Sequence, residues 1–289
     1  MHKGLYKIFS FFLLRVDSSL SIAELVQNSQ NSAHGLFIGR MGSTEAKAVV
    51  LSKKIFPRFL LKKVMGFKNN RYVNLHRFSG MWSNDENSVR KFGEMYFQAA
   101  KSVDYLATWR VEDVFITGNK FPLHKLEPYF MDVPWTLSLI DKRILIVHPF
   151  KASIEKQLNS DINSIHNRRY FSKTVSFQVY KAFQGYDYFS NEHTWFEVLN
   201  NMVEEICEIN PDVVFVAAGA FGLPLASRLN NGKRIIFHMG GSLQLLFGIK
   251  GKRWENDMRF RDVITERFIS PLPEDIPNNF KKVEEGCYW

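Results

Sequence analysis

An α/β fold, with a Rossmann-like and mostly parallel sheet flanked by helices, is what this chain predicts, and three observations carry the prediction. Short runs at 143–150 (RILIVHPF), 174–180 (TVSFQVY), 212–219 (DVVFVAAG) and 234–241 (RIIFHMGG) are rich in β-branched residues and nearly continuously apolar. That is how strands covered on both faces read. Segments of helical length, 194–210 and 221–232, separate the later runs, and strands alternating with helices make parallel sheets. Glycines stand at the ends of the last two strands, at 219 and 222 and again at 240 and 241.

Taken in order, the N-terminal stretch MHKGLYKIFSFFLLRVDSSL has a basic start and an apolar run broken by Lys7, with no small-residue cleavage site after it. It is not expected to be a signal peptide. Residues 1–34 read as a helical addition, whose first helix either packs on the domain or rests on lipid. The LFI run then ends a strand, and EAKAVVL opens a helix, so Arg40, Met41, Gly42, Ser43, Thr44 and Glu45 fall in the turn between them. Residues 46–84 contain no acid, but carry Lys47, Lys53, Lys54, Arg58, Lys62, Lys63, Lys68, Arg71 and Arg77. These nine charges equal the +9 of the whole chain. Mixed with aromatics and leucines, they suit an anionic membrane surface or a phosphate-rich ligand, against the plainer reading of a solvated basic face. No zinc knuckle, RNP pattern or helix-turn-helix accompanies them, so no nucleic acid is expected as a partner.

Residues 83–109 read as one capped helix, opened by Ser83 or Asn84. DVFITG (113–118) reads as a strand. The tail at 271–289 has three prolines before 278 and little periodicity, so it should wrap the surface irregularly, its closing Tyr288 and Trp289 anchoring it by burial. No linker or repeat divides residues 1–289, which read as one domain.

Composition sets bounds on function. The 289 residues are 45% hydrophobic and 23% charged, and no run approaches the roughly 18 apolar residues that a membrane-spanning helix needs. Cys207 and Cys287 stand far apart, which supports neither a disulfide framework nor a cysteine zinc site. A cytoplasmic location is expected, peripheral to the inner membrane face.

Unusual residues gather at three strand ends. The first is the Arg40–Glu45 turn; the second is His148-Pro149, with Ser153 beginning or capping the next helix; the third is 214–254, with Gly219, Gly222, His238, Gly240, Gly241, Lys250, Lys252 and Arg253. Glycine turns between strand and helix let a backbone approach a diphosphate, and the cations after them favour phosphate. Tight turns also need glycine for conformation alone, and each histidine has a core reading beside its ligand-facing one. Neither GxGxxG with an acidic partner nor GxxxxGK[ST] is matched, which disfavours dinucleotide dehydrogenases and P-loop NTPases.

Arg40-x-Gly42-x-x-Glu45, VHPF, the GAFGLPLA turn and HMGG together resemble the bacterial glycosyltransferases of the GT-D fold, from about residue 35 to the C-terminus. The resemblance implies a GT-D-like sheet and a hexosyltransferase-type enzyme that moves a sugar from a nucleotide-sugar donor, often a UDP-sugar. The acceptor would be a growing surface glycan of O-antigen or capsule type, carried on lipid in some pathways. It implies donor binding by Gly42, Ser43, Thr44, His148, Gly219, Gly222, His238, Gly240, Gly241, Lys252 and Arg253, with Arg40 and Glu45 at the reacting centre. The commoner motif reads R-x-G-D-G-E, whose DxE pair holds a divalent metal such as Mn²⁺ or Mg²⁺; here Ser43 stands in place of the aspartate. One carboxylate and two hydroxyls make a poor site for such an ion. The resemblance is therefore also compatible with a non-catalytic binding or scaffold subunit of the same fold.

Overall fold

The computed structural model describes residues 15–52, 75, 79–82, 85–185, 193–282 and 284–289. Seven strands form one sheet: β1 (Leu36–Gly39), β2 (Tyr105–Thr108), β3 (Asn119–Pro122), β4 (Arg143–His148), β5 (Ser176–Lys181), β6 (Val213–Val216) and β7 (Ile235–His238). Their order is β3-β2-β1-β7-β6-β4-β5, and every pairing is parallel. The sheet is thus wholly parallel, where the sequence predicted a mostly parallel one.

Period-two alternation sends successive side chains of each central strand to opposite faces. Leu36, Ile38, Ile144, Ile146, Val213, Phe215, Ile235 and Phe237 enter one core. Phe37, Leu145, Val147, Val214, Val216 and Ile236 enter the other. The first core is covered by α1 (Ile22–Ser32), by α4 (Lys151–Leu158) and α5 (Ile162–Ile165) after β4, and by α8 (Leu243–Leu246) after β7. The second is covered by α2 (Ser43–Ser52), α3 (Glu86–Lys101), α6 (Trp195–Ile209) and α7 (Gly222–Leu229). Trp195 of α6 stacks on Phe221 with centroids 4.5 Å apart and meets Phe92 of α3 edge-on at 5.3 Å. Such pairs each contribute about 1 kcal/mol beyond simple burial.

Helix α6 matches its sequence limits because both ends are coded locally. Thr194 and Glu197 form a reciprocal capping box, and Asn210 closes the helix in the left-handed conformation (φ 47°). Two other expectations are corrected. The helix read at 83–109 spans only 86–101 and is capped by Asp85, whose side chain accepts from Ser88 N; Ser83 and Asn84 lie outside the described residues. Its predicted last turns are strand β2 instead, because Asp104 accepts the Phe37 amide at 2.7 Å and ties the chain into register beside β1. The strand read at 113–118 is a 3₁₀ turn, Val111–Phe115. Asp113 draws the Trp109 and Arg110 amides onto one carboxylate oxygen, at 3.0 Å each, and the resulting tight turn delivers the chain to β3, an element with no distinct sequence signal.

The tail does wrap the surface in short 3₁₀ turns. Most of the basic segment 46–84, including eight of its nine cations, lies outside the described residues, as does the stretch 1–14. Among the described residues no helix is long and apolar enough to cross a membrane.

The connections run both ways across the sheet. From β4 the chain goes outward to β5, whereas from β6 it goes to β7, on the opposite side. That divergence leaves a crevice above the carboxyl ends of β4 and β6, the place where open α/β sheets take their ligands.

Candidate functional site

A cavity of about 300 Å³ opens at this edge, and residues following all seven strands line it. Its centre is the β1–α2 turn. Three side chains from three elements pin three successive residues of that turn through the backbone. His238 Nδ1 bonds the Arg40 carbonyl at 2.9 Å, Trp109 Nε1 donates to the Met41 carbonyl at 3.0 Å, and the Gly42 amide donates to the Tyr96 hydroxyl at 3.1 Å. A backbone held this way presents the Arg40 side chain with little entropy left to lose.

The Glu45 carboxylate lies against Gly42: a Cβ there would fall 2.1 Å from Glu45 Oε2. The Glu45 side chain therefore folds back over the start of α2, buried at 7% exposure, with its carboxylate favoured by the positive end of the helix. Tyr96 beside it has its hydroxyl pKa raised well above the usual range, by burial first and by the Glu45 charge second. The Arg40–Glu45 ion pair that would merely brace the turn does not form. Among the described residues no ion pair joins them, and the Arg40 guanidinium lies 4.8 Å over the Trp109 ring.

The two histidines are held as opposite neutral tautomers. His238 faces a carbonyl, which can only accept, so its Nδ1 carries the proton. His148 Nδ1 accepts from the Phe150 amide at 2.9 Å, which places its proton on Nε2. Burial lowers both pKa values to about 3. Neither ring is a general base near neutral pH. His238 in turn explains Gly222: a Cβ there would sit 2.4 Å from His238 Nε2.

Arg40, Gly42, Ser43, Thr44, Glu45, His148, Gly219, His238, Gly240, Gly241 and Arg253 all line the cavity, although the sequence scatters them over more than two hundred positions. Three of the expected residues do not, and Lys250, one of them, pairs with Glu255 at 3.5 Å instead. Gly222 stands behind the wall as a spacer for His238, and Lys252 is exposed on α9 (Lys252–Glu255), pointing elsewhere while Arg253 faces in. Ser153 lies inside α4 rather than capping it.

Several lining residues went unread in the sequence. Glu127 sits in the loop after β3, buried at 9% exposure, and burial pushes its carboxyl above the ordinary range against the pull of Arg40 and of Ser242. An isolated acid in the apolar loop PLHKLEPYF was its one signal. Asp257 and Arg259 reach the rim paired with each other. Tyr288 and Trp289 close the wall: Tyr288 accepts from Arg253 Nη1 at 2.6 Å, and a Cβ on Gly241 would fall 2.6 Å from its ring. Among the described residues no group of three or more His, Cys, Asp or Glu is gathered as metal ligands.

No protein-family model, curated protein or solved structure matches the chain.

Proposed function

We propose that the protein is a glycosyltransferase that takes a sugar from a nucleotide-sugar donor, of the UDP-sugar type, and adds it to a growing bacterial surface glycan. The observation that carries this reading is the convergence of the Arg40–Glu45 turn and both glycine turns on one cavity at the carboxyl edge of a parallel sheet. Sugar transfer breaks the bond between the anomeric carbon and the diphosphate oxygen, and the diphosphate leaves with the electron pair. The acceptor hydroxyl oxygen forms the new bond and gives up its proton.

Such a transfer has two needs: charge for the leaving diphosphate and a base for the proton. Arg40 and Arg253, with the amides of the Gly219 turn, meet the first need without a metal. The donor set fits a divalent ion poorly, since Glu45 is the only carboxylate of its motif and is folded against Gly42. Besides Asp257, which is paired with Arg259, the described residues of the cavity wall hold two carboxylates, Glu45 and Glu127. Glu45 is assigned as base by its place in the motif.

Calorimetric titration with UDP-, GDP-, dTDP- and CMP-sugars, each with EDTA and again with Mn²⁺, tests the reading. One nucleotide class is expected to bind in EDTA, and Arg40→Ala to weaken it roughly tenfold or more. Glu45→Gln should bind donor normally and lose transfer. Binding that appears only with Mn²⁺ would overturn the cationic route, and absence of binding in both conditions would overturn the transferase.

A second reading, a non-catalytic binding or scaffold subunit, is favoured by Ser43 at the position of the missing aspartate. Donor binding with no transfer to any acceptor glycan distinguishes it. The expected peripheral attachment through residues 46–84 is a separate proposal, resting on charge; retention on anionic vesicles at low salt, lost at high salt, is its test.

A further inference from the structure

Four helical turns follow strands at the cavity edge, and three of them have a carboxylate of the protein beside them. Glu45 folds over Gly42 at the start of α2. Asp275, from the tail, accepts the Ser153 amide at 2.7 Å, the Ser153 hydroxyl at 2.6 Å and the Ala152 amide at 3.3 Å at the start of α4. Glu127 faces Ser242 in the turn after β7. The turn after β6 is different. Gly219–Phe221 runs directly into the eight residues of α7, and neither element has a side-chain cap. The Gly219 and Ala220 amides find no acceptor among the described residues, and Gly219, at φ 52°, is exposed and lines the cavity.

A second group points to the same place. His148 is 3% exposed. Its Nδ1 is taken by the Phe150 amide, which leaves Nε2–H as a donor with no acceptor among the described residues, in a ring that lines the cavity. Val147 pairs with Val216 and accepts the Ala217 amide at 2.9 Å, so His148 and the Gly219 turn are neighbours across the switch between β4 and β6. Burial lowers the pKa of this ring to about 3, so Nε2–H is a neutral donor near neutral pH.

We propose that the Gly219–Gly222 turn and His148 Nε2–H form a phosphoryl-anion site, and that the diphosphate binds there rather than at the turns after β1, β4 or β7. A helix N-terminus with free amides and a fixed neutral donor recognises an oxyanion by hydrogen bonds and dipole, without a full countercharge. The carrier of the diphosphate, nucleoside or lipid, rests on the transferase reading. The anion site itself does not.

The test is calorimetric titration of the full chain with pyrophosphate, a nucleoside diphosphate and a short isoprenyl diphosphate. Gly219→Asp supplies this turn with the carboxylate that the others already have, in a left-handed position that aspartate tolerates. It should weaken all three ligands at least tenfold while leaving the melting temperature equal or higher. His148→Leu should weaken them severalfold. Gly232→Asp makes the same change at another left-handed glycine (φ 75°), with open space around it, before β7 at the far end of the sheet, and should change nothing. A wild-type chain that does not bind pyrophosphate, or a Gly219→Asp chain that binds it unchanged, overturns the site. Nucleotide-sugar binding that persists in Gly219→Asp would spare the transferase and sink this site; pyrophosphate binding lost in that variant, with no nucleotide sugar bound by the wild type, would do the reverse.

Discussion

Asp113 shows at the scale of one residue what positioning the cavity costs. Its carboxylate is fully buried; one oxygen holds the Trp109 and Arg110 amides and so aims the indole that pins Met41 and underlies Arg40. The other oxygen has no partner among the described residues. Burial, only partly opposed by those amides, raises its pKa from 3.8 to about 6. The native state thus binds more protons than the unfolded chain between these two values, and stability falls as pH rises through that window. Asp113→Asn keeps an acceptor for both amides and removes the titration. Between pH 4 and pH 7 the wild type should lose about 2.4 kcal/mol relative to the variant, since each pKa unit is worth about 1.4 kcal/mol and the unfolded carboxyl is already partly ionised at pH 4. Urea unfolding of the two proteins across that range measures it; parallel curves would contradict it.

Among the elements, α4 is the one most dependent on a distant partner. Its N-cap, Phe150, has no side chain able to cap, and Asp275 does that work from 122 positions away. Ser153 links the two, accepting the Leu272 amide at 2.9 Å while its hydroxyl donates to Asp275. The helix and the tail therefore stabilise each other, and Trp289 Nε1 bonds the Asp275 carbonyl at the same junction. Asp275→Ala leaves buried amides without an acceptor, so it should cost about 2 to 3 kcal/mol. It should also raise proteolysis within 271–289, because the tail loses the contact that holds it. Limited proteolysis with mass mapping reads this directly, and an unchanged cleavage pattern would separate the tail from α4.

At the scale of the molecule, three histidines among the described residues are buried and neutral, His148, His166 and His238, with pKa values lowered by burial to about 3, 4 and 3. Below the unfolded value of 6.5 the unfolded chain takes up protons that the native state refuses, so stability rises with pH up to that point and is lost as pH falls. Each contributes about 1.4 kcal/mol per pH unit in the window, or about 4 together. Unfolding free energies between pH 6.5 and pH 4.5 should carry this slope, and His166→Gln, remote from the cavity, should lower it by about a third. A slope indifferent to that substitution would mean that the ring charges in the native state. Ligand affinity should show no histidine titration near pH 6.5, because both cavity histidines stay neutral there.

Much of this fold was legible in the chain because its central strands are covered on both faces, and continuous apolar runs such as ILIV and VVFV have no other stable home. Helix α6 was legible for a different reason: its cap, its amphipathic face and its left-handed stop all lie within its own residues. Strands β2 and β3 were not. They are four residues each, half-polar at their starts, and are defined by pairing with β1 rather than by any periodicity of their own. The site divides along the same line. Turn chemistry is local, so Arg40, Gly42, Glu45 and the glycines of the last two strand ends stood out in sequence. The inward turn of Arg253 and not Lys252, the use of Gly222 as a spacer for His238, and the presence of Glu127, Trp109 and Tyr288 in the cavity depend on contacts between residues far apart in the chain. Local rules therefore determined the central strands and the turns after them, while pairing decided β2 and β3 and packing decided which side chains meet, because only the assembled sheet brings seven strand ends to one edge.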